Sequence, residues 1–515
     1  MNGAESLLRT LVNNNITTCF TNPGTSEMQF VAAADRVPDM RCVLCLAEGV
    51  VSGAADGYSR MSDNPPATLL HLGPGLGNGL ANFHNAMRAG APIVNIVGDH
   101  ATGHKQYDAP LASDVAAYAR PVSAWIKESG TAADIPADAM AAITAARQPP
   151  GHIATLIIPA DCSWDPCPAD PGGKAPLPSR PKVADGAVNK VVEALRKGEP
   201  AALLLGDHAL LEEGARLASI ISNHVNARVF SHTFTARITR GAGRGNIERL
   251  PYFPEAIIET LTGIRHLVIA GTKPPVGFFA YPDLPSYLVP PDCRVQQLAS
   301  AGDDVVDALA RVIDELGAGT VSPTLMPLKK PPLPAGKLTP ETIGLSVGAL
   351  LPENAVVAEE AISSGGNLIP ATATAEPHDW MFTTGGAIGQ GLPNATGAAI
   401  ACPDRKVLCL QADGAGMYTV QALWTQARES LNVTTVVFAN RRYRILGIEY
   451  QRVGAGAPGA RARSMMDIDN PEIDWISLAK GMGVPACRVT TTEELNRQLA
   501  AYLAEPGPNL IEAVI

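Results

Sequence analysis

Two polar residues in the C-terminal part of the chain have the spacing that a metal–phosphate site requires. Asp413 follows an apolar run of strand character, and Asn440 follows a second such run 27 residues later. This spacing fits one strand–helix–strand unit, in which the strands are parallel and their carboxyl ends meet at one edge of a sheet. One carboxylate and one amide oxygen suit Mg²⁺, which completes its octahedron with water and ligand phosphates. The sequence therefore predicts a Mg²⁺–diphosphate site at Asp413 and Asn440.

Acidic and imidazole groups in the N-terminal part could transfer protons. Glu48 lies between a strand-like run and a helix of small residues. It is either an acid that the helix dipole favours or a buried acid that shares a proton with a heterocyclic nitrogen. His71 ends the next apolar run and is either a satisfied core or surface residue or, beside a cofactor, a proton donor near neutral pH. His100 and His104 are further candidates for proton transfer.

Two glycine-rich segments could bring the backbone close to a ligand. Residues 73–79 lie between a strand and a helix and predict a tight turn, loosely like a dinucleotide-binding fingerprint with Asp99 as its acid. The third glycine comes one place early for that fingerprint, but a nicotinamide-dependent dehydrogenase stays open. Residues 383–393 surround one bulky apolar residue, Ile388. They predict either a flexible loop or a platform for a flat ligand.

The elements that must position these residues alternate between strand and helix, which predicts an α/β fold with doubly wound parallel sheets. The expected strands are 16–21, 42–46, 67–71, 92–98, 201–205, 227–230, 266–270, 356–358, 407–411, 434–439 and 510–514. Two stretches rich in proline, 162–181 and 319–340, predict linkers. We therefore expect three domains, 1–165, 183–318 and 339–515.

The composition excludes several classes of protein. The chain has 515 residues, 46% of them hydrophobic and 17% charged, with a net charge of −10. An acidic surface argues against nucleic-acid partners, and no apolar run reaches the roughly 20 residues that span a bilayer. The N-terminus does not predict a signal peptide. Cys42 and Cys45 have zinc-like spacing without a second pair, so we expect buried free thiols and a cytoplasmic protein.

Taken together, these segments resemble the thiamine diphosphate-dependent 2-keto acid enzymes, such as acetolactate synthase, pyruvate oxidase and benzoylformate decarboxylase. The resemblance covers essentially the whole chain and keeps the order of the family's motifs. The matching segments are Asn-Pro-Gly-Thr at 22–25, Ala-Glu-Gly at 47–49, Ala-Asp-Gly-Tyr at 55–58, Gly-Pro-Gly at 73–75, Gly-Leu-Pro at 391–393, and the stretch from Asp413 to Asn440.

The resemblance implies a role for each matching residue. Glu48 would hydrogen-bond the aminopyrimidine of the cofactor, and Ile388 would bend the cofactor towards its reactive conformation. Asp413, Asn440 and the backbone carbonyl of Arg442 would bind Mg²⁺. Further implied cofactor contacts come from Ser363, Gly386, Gly414, Ala415 and Tyr443. Alanine at 415 replaces the family's serine, so a hydroxyl that could support the diphosphate is missing.

The resemblance also implies an assembly and a reaction class. Glu48 and the diphosphate site would come from different subunits of a homodimer or homotetramer. His71 and Thr25 fall where benzoylformate decarboxylase-like members place a histidine and a serine around the reacting carbon. The second histidine of those enzymes is not found, since Arg-Ile-Thr-Arg occupies 237–240. Residues 71–78 and 98–100 look most like acetolactate synthase-like proteins.

We therefore expect decarboxylation or carboligation of a 2-keto acid, in the manner of acetolactate synthase. A benzoylformate decarboxylase-like enzyme that acts on an aromatic or branched 2-keto acid is the second candidate. An NAD-dependent oxidoreductase and a non-catalytic homologue also stay open. So does FAD in the middle domain, because the glycine-rich segment 241–245 is either a nucleotide-binding segment or a surface loop.

Overall fold

The computed structural model describes residues 1–515 and contains three sheets, which are parallel except for one edge strand. This confirms the expected fold class of three α/β domains. The strands of the N-terminal sheet are β1 (Thr18–Thr21), β2 (Arg41–Leu44), β3 (Ala67–His71), β4 (Ile93–Asp99), β5 (Trp125–Glu128) and β6 (Ile153–Pro159), in the order β2-β1-β3-β4-β6-β5. The strand order reverses between the parallel neighbours β1 and β3, and α/β sheets bind ligands at such a switch point.

Seven helices accompany the N-terminal sheet. They are α1 (Gly3–Asn13), α2 (Met28–Ala34), α3 (Glu48–Met61), α4 (Leu72–Ala89), α5 (Val115–Ala119), α6 (Ile135–Arg147) and α7 (Ala160–Trp164). Side chains on opposite faces of β1, such as Cys19 and Phe20, belong to two separate apolar cores. The strands therefore read as continuous apolar runs, because both faces are buried.

The middle domain has a five-stranded sheet in the order β10-β8-β7-β11-β12. Its elements are β7 (Ala201–Leu205), β8 (Arg228–Ser231), β9 (Ile238–Arg240), β10 (Glu248–Arg249), β11 (His266–Ala270) and β12 (Arg294–Ala299), with α8 (Asp185–Leu195), α9 (Glu212–Val225), α10 (Pro254–Leu261) and α11 (Val305–Leu316). Strand β9 leaves this sheet and forms the antiparallel edge of the C-terminal sheet. The middle domain is thereby joined to the C-terminal domain through backbone hydrogen bonds.

The C-terminal sheet has the order β17-β18-β16-β15-β13-β14-β9, with its switch point between β13 and β15. Its strands are β13 (Val356–Glu360), β14 (His378–Phe382), β15 (Val407–Ala412), β16 (Val433–Ala439), β17 (Ala486–Val489) and β18 (Asn509–Val514). Its helices are α12 (Pro340–Leu350), α13 (Leu368–Thr372), α14 (Gly391–Ala401), α15 (Asp413–Gly416), α16 (Ala422–Arg428), α17 (Arg444–Arg452), α18 (Ala460–Arg463), α19 (Trp475–Gly481) and α20 (Thr492–Ala504).

Helices α3 and α14 join the N-terminal and C-terminal domains through glycine. A Cβ atom at Gly397 would lie 1.9 Å from the carbonyl oxygen of Ala54, and one at Gly57 would lie 2.2 Å from that of Asn394. The two helices therefore touch backbone to backbone, which explains why α3 is built from small residues. Their apolar residues share one core with both sheets.

Three expectations about local structure need correction. Residues 73–79 are not a turn but belong to α4, which begins at Leu72 directly after β3. Glycine is needed at 73 because a Cβ there would lie 2.2 Å from Oγ of Ser113. All nine cysteines are free thiols, and Cys45 is buried. Cys42, which was expected to be buried too, is exposed. The expected linker at 162–181 begins inside α7. The domain limits at 1–165, 183–318 and 339–515 stay predictions.

No helix is both long enough and apolar enough to cross a membrane.

Candidate active site

The carboxyl ends of β2 and β3 bring Glu48 and His71 to the same place. Glu48 is the first residue of α3 and His71 is the last residue of β3. A Cβ atom at Gly75 would lie 3.4 Å from Cβ of His71 and 3.5 Å from Oε1 of Glu48. The two side chains therefore flank one glycine at the switch point. Glu48 is only half-buried, contrary to the expectation of a buried acid, because its face is open to solvent in the single chain.

The segment after β1 packs directly on the imidazole of His71. A Cβ atom at Gly24 would lie 2.2 Å from Cγ of His71, so only glycine allows this approach. Thr25 follows, exposed, as the first residue of the short 3₁₀ turn Thr25–Glu27. Thr25 therefore follows the residue that packs on His71, and a joint role of Thr25 and His71 stays a prediction.

Glu27 belongs to this site, although it was not predicted from the sequence. Its Oε2 lies 2.9 Å from Nδ1 of His71 and accepts the Gly24 N–H at 2.8 Å. Burial raises the pKa of Glu27, and the contacts with His71 and Gly24 offset part of that rise. The acid three residues after Gly24, accepting a bond from its N–H, follows capping-box spacing and could have been found from that pattern.

Asp413 and Asn440 lie together at the carboxyl ends of β15 and β16, which are parallel neighbours as predicted. Oδ1 of Asp413 accepts the Gly414 N–H at 2.8 Å, and Oδ2 accepts the Arg441 N–H at 2.6 Å. Oδ1 of Asn440 accepts the Arg442 N–H at 3.0 Å. The three predicted metal-binding residues, Asp413, Asn440 and Arg442, therefore belong to one cluster.

The environment of Asp413 fits a divalent cation. The residue is 3% exposed, no basic side chain forms a salt bridge with it, and burial raises its pKa. Backbone N–H groups offset part of the cost of burying this carboxylate, and a bound cation would supply the counter-charge that it lacks. No three His, Cys, Asp or Glu residues converge on one metal site in the chain. The oxygen donors therefore suit an ion that keeps water and phosphate ligands, such as Mg²⁺.

Other predicted contact residues surround this edge. A Cβ atom at Gly414 would lie 2.5 Å from Cε1 of Tyr443, so these two residues are in direct contact. Ala415 follows Gly414 in α15, and Ser363 lies in the 3₁₀ turn Ile362–Ser364 after β13. Gly386 has φ of +79°, a conformation that favours glycine, and the ring of Phe278 covers its Cα.

Glu360, which was also not predicted from the sequence, fixes the loop after Ile388. Its Oε1 accepts the N–H groups of Gly389 and Gln390 at 2.8 and 3.1 Å. Its Oε2 accepts the Gly391 N–H at 2.9 Å and Nε2 of Gln411 at 2.8 Å. Burial raises the pKa of Glu360, and these donors act in the opposite direction. Residues 389–391 are therefore fixed by hydrogen bonds and are not the flexible loop that was the alternative, while a platform for a flat ligand stays a prediction.

Asn82 links the segment after Glu48 in the N-terminal domain to the loop after Ile388 in the C-terminal domain. Its Nδ2 donates to the carbonyl oxygens of Gly49 and Gly389 at 2.8 and 3.1 Å. The carboxylate of Glu48 accepts a hydrogen bond from Asn78 at 3.2 Å and makes none to the C-terminal domain. One chain thus contains two half-sites, Glu48 with His71 and Asp413 with Asn440. No direct hydrogen bond joins Glu48 to Asp413 within the chain.

The residues that suggested a dinucleotide-binding site have other structural roles. The carboxylate of Asp99 lies 2.6 Å from Nζ of Lys105, and residues 73–79 form helix rather than a phosphate-binding turn. Gly241 is pressed against the C-terminal domain, since a Cβ there would lie 2.4 Å from the carbonyl oxygen of Glu376. Segment 241–245 therefore begins at a domain contact and not as a free surface loop. The rings of His100 and His104 lie 5.3 Å apart.

The chain belongs to the thiamine pyrophosphate-dependent enzyme family. Residues 1–117 match the model described as "Thiamine pyrophosphate enzyme, N-terminal TPP binding domain". Residues 366–513 match "Thiamine pyrophosphate enzyme, C-terminal TPP binding domain". Thiamine pyrophosphate is the same compound as thiamine diphosphate. The family predicted from the sequence is thus confirmed.

Two relatives show which enzymes of that family the chain is similar to. The chain is 52% identical to the Mycobacterium tuberculosis protein named "Putative acetolactate synthase large subunit IlvX", covering 100% of this chain and 99% of that one. It is 30% identical to benzoylformate decarboxylase of Pseudomonas aeruginosa, over 96% of each chain. The protein is therefore a thiamine diphosphate-dependent enzyme related to both.

A solved structure shares the whole fold. The Rhodococcus jostii RHA1 thiamine diphosphate-dependent 4-hydroxybenzoylformate decarboxylase superposes with a TM-score of 0.84 at 24% identity, covering 99% of this chain and 98% of that one. All three domains therefore have their counterparts in an enzyme of this family.

Proposed function

We propose that the enzyme uses thiamine diphosphate and Mg²⁺ to decarboxylate a 2-keto acid, and that it joins the remaining fragment to a second carbonyl compound as acetolactate synthase does. The observation that supports this is the arrangement of Asp413 beside Asn440 at one sheet edge and of Glu48 beside His71 at another. When bound, the cofactor supplies a nucleophilic carbon and accepts the electron pair that departing CO₂ leaves. The proposal requires no FAD.

The C-terminal edge holds the cofactor. Three groups would hold Mg²⁺, an ion that suits oxygen donors together with phosphate ligands: the carboxylate of Asp413, the amide oxygen of Asn440 and the carbonyl of Arg442. A further set of residues positions the rest of the cofactor: Ser363, Gly386, Ile388, Gly414, Ala415 and Tyr443. The four hydrogen bonds that Glu360 accepts keep the loop next to Ile388 in one conformation.

The N-terminal edge moves protons. Glu48 would hydrogen-bond the pyrimidine ring of the bound cofactor and would serve there as the acid–base group that assists loss of the proton at the cofactor's reactive carbon. His71, held by Glu27, gives or takes the proton at the substrate's reacting carbon. The hydroxyl of Thr25, exposed beside His71, hydrogen-bonds the substrate.

We further propose a homodimer or homotetramer in which Glu48 of one subunit serves the diphosphate edge of another. Glu48 makes no hydrogen bond to the C-terminal domain of its own chain. Apolar side chains beside both half-sites are exposed in the single chain, with Leu46 at 45% and Tyr418 at 59%. In the proposed assembly these two side chains would be covered by the neighbouring subunit.

A second candidate is a benzoylformate decarboxylase-like enzyme that releases an aldehyde from an aromatic or branched 2-keto acid. The Glu27–His71 pair favours it, because a fixed imidazole can protonate the carbon that remains after CO₂ leaves. The identity to benzoylformate decarboxylase of Pseudomonas aeruginosa supports the same function.

One experiment decides between these candidates. The full chain, with thiamine diphosphate and Mg²⁺, is incubated with pyruvate, 2-ketobutyrate, a branched 2-keto acid and benzoylformate in turn. We expect CO₂ from at least one of them, with a ketol product for carboligation or an aldehyde for simple decarboxylation. Tight cofactor binding without CO₂ from any substrate would contradict the proposal and favour a non-catalytic homologue.

A further inference from the structure

Helix α17 directly follows the proposed metal-binding residues, yet none of its residues is buried. It begins at Arg444, just after Arg442, and lies beside the 3₁₀ turn Ile362–Ser364. The segment that contains α17 is closed at its base, because the Tyr443 N–H donates to the Met466 carbonyl at 2.7 Å. A helix on a protein surface is normally held by a buried apolar face. This helix has no fully buried side chain, so its position depends on other contacts.

Arg452, the last residue of α17, connects the helix to the middle domain. Its Nη1 and Nη2 donate to the two carboxylate oxygens of Glu255 in α10, at 2.6 and 2.7 Å. Its Nε makes no hydrogen bond, so the connection to Glu255 depends on the two Nη groups. The Arg452 side chain is only 20% exposed. A two-bond pair with a carboxylate and little exposure is the geometry in which such a pair contributes most.

Two aromatic rings of the middle domain enclose the guanidinium of Arg452. Its central carbon lies 4.2 Å from the centroid of the Phe253 ring and 4.4 Å from that of the Tyr281 ring. Such cation–π contacts add to the attraction of the ion pair. The Tyr281 hydroxyl donates to Oε1 of Glu449, in the same turn of α17, at 2.9 Å. These five residues form the Arg452 cluster: Phe253, Glu255, Tyr281, Glu449 and Arg452.

The Arg452 cluster supplies most of the polar contacts of this segment with the rest of the chain. No side chain of α17 other than Glu449 and Arg452 forms a hydrogen bond outside the helix. At the start of the segment, the Tyr443 hydroxyl donates to the Gly414 carbonyl at 3.5 Å, which is long for a hydrogen bond. The far end of α17 is therefore fixed by the middle domain, and its near end adjoins the backbone at Arg442.

We propose that Arg452 is a positioning residue for the metal and diphosphate edge. By holding α17 on the middle domain, it keeps the backbone of residues 440–442 in the arrangement that the proposed Mg²⁺ site requires. Residues that support a metal ligand from behind typically change metal affinity by about 10- to 100-fold. This role rests on the proposed function, because it presupposes Mg²⁺ and thiamine diphosphate at Asp413 and Asn440.

The proposal is tested on the apoproteins of the wild type and of Arg452→Gln, each titrated calorimetrically with thiamine diphosphate at one fixed Mg²⁺ concentration. We expect the affinity of the variant to fall about tenfold or more. Hydrogen–deuterium exchange of the α17 amides, measured without ligand, should become faster because the helix loses its attachment. Arg452→Lys keeps the charge but not the two-bond geometry, so it should restore part of the affinity. Equal affinity in Arg452→Gln, or unchanged exchange in α17, would overturn the positioning role.

Glu255→Gln tests the same pair from the middle domain. It should cause a similar loss of affinity, and the losses should not add in the double variant, because both changes break one interaction. Fully additive losses would overturn the role of the pair. Arg216→Gln is the matched control, since Arg216 makes a two-bond pair with Glu213, at 2.8 and 2.7 Å, within α9. Its affinity should equal that of the wild type.

The wild-type titration separates this role from the proposed function. If the wild type does not bind thiamine diphosphate with Mg²⁺, the proposed function fails and the role of Arg452 fails with it. If the wild type binds the cofactor and Arg452→Gln binds it equally well, only the role of Arg452 is overturned.

Discussion

Nδ1 of His71 lies 2.9 Å from Oε2 of Glu27, although His71 ends β3 and Glu27 follows β1. Parallel pairing of Thr21 with Leu69 brings the segment after β1 alongside the end of β3. Glu27 and Ser26 both approach Nδ1, so Nε2 is left without a hydrogen bond to the protein. A carboxylate on Nδ1 fixes the tautomer and the ring plane, and this directs the other nitrogen towards the substrate.

Glu27→Gln should therefore impair turnover more than substrate binding. The variant keeps the shape of the side chain but removes the charge that orients His71. We expect kcat to fall by roughly 10- to 100-fold with KM changed little, below the full range for losing an acid–base group because the imidazole remains. Steady-state kinetics and the pH dependence of kcat measure this.

Ser26→Ala is the matched control, since Oγ of Ser26 reaches the same nitrogen only at 3.5 Å. Its kcat and its pH profile should stay near those of the wild type. If Glu27→Gln behaves like Ser26→Ala, Glu27 has no positioning role and its carboxylate serves only the Gly24 N–H.

Glu48→Gln should suppress proton exchange at the reactive carbon of the bound cofactor. The isosteric amide cannot transfer the proton, so we expect the exchange rate to fall by roughly two to four orders of magnitude. Hydrogen–deuterium exchange at that carbon, followed by NMR after acid quench, gives the rate directly. Exchange at close to the wild-type rate would rule out the assignment of Glu48.

Asp413→Asn should remove Mg²⁺-dependent cofactor binding while leaving the apoprotein folded. The amide keeps one acceptor for the Gly414 or Arg441 N–H but loses the charge that attracts the cation. We expect affinity for thiamine diphosphate with Mg²⁺ to fall at least about a hundredfold, since even indirect ligand support is worth 10- to 100-fold. Calorimetry measures this, with the exposed Asp404→Asn as control. Equal affinities in both variants would exclude the metal site.

The sequence predicted the fold where both faces of a strand are buried. Ala201–Leu205 and His266–Ala270 were located to the residue, because a parallel strand packed on both sides must be a continuous apolar run. The pairing of Asp413 with Asn440 was predicted for a related reason, since parallel neighbours end at one edge. These features depend on local composition and simple topology.

Features that depend on tertiary contacts were missed. Glycine's low helix propensity favoured a turn at residues 73–79, but close packing on Ser113 needs glycine inside a helix. Strand β9 has three residues and pairs antiparallel with β14, so no periodic pattern indicated its sheet. Glu27 looked like an ordinary acid, because its relation to His71 depends on the register of β1 with β3.

Glu360→Gln should loosen the platform at Gly389–Gly391. The Glu360 carboxylate has two acceptor oxygens, but the glutamine amide has one. Its NH₂ group would face N–H donors of the loop, and those donors would lose their hydrogen-bond acceptor. We expect the free energy of unfolding to fall by about 1.5–3 kcal/mol per bond to the charged group that is lost. Urea unfolding of the apoprotein measures the change, with the exposed Glu353→Gln as control. A midpoint equal to that of the control would show that these bonds do not stabilise the loop.

His378 should make stability depend on pH. It is 3% exposed on β14, its Nδ1 lies 2.7 Å from the Glu376 carbonyl, and burial beside Arg240 lowers its pKa to about 4. The unfolded chain takes up a proton near pH 6.5 that the folded chain refuses, so stability is lost as pH falls from 6.5 towards 4. The loss amounts to at most about 3 kcal/mol, from 1.36 kcal/mol per pKa unit. In urea unfolding, the advantage of the wild type over His378→Gln should shrink by this amount between pH 7 and pH 4. Parallel profiles for the two proteins would show that His378 is not held neutral.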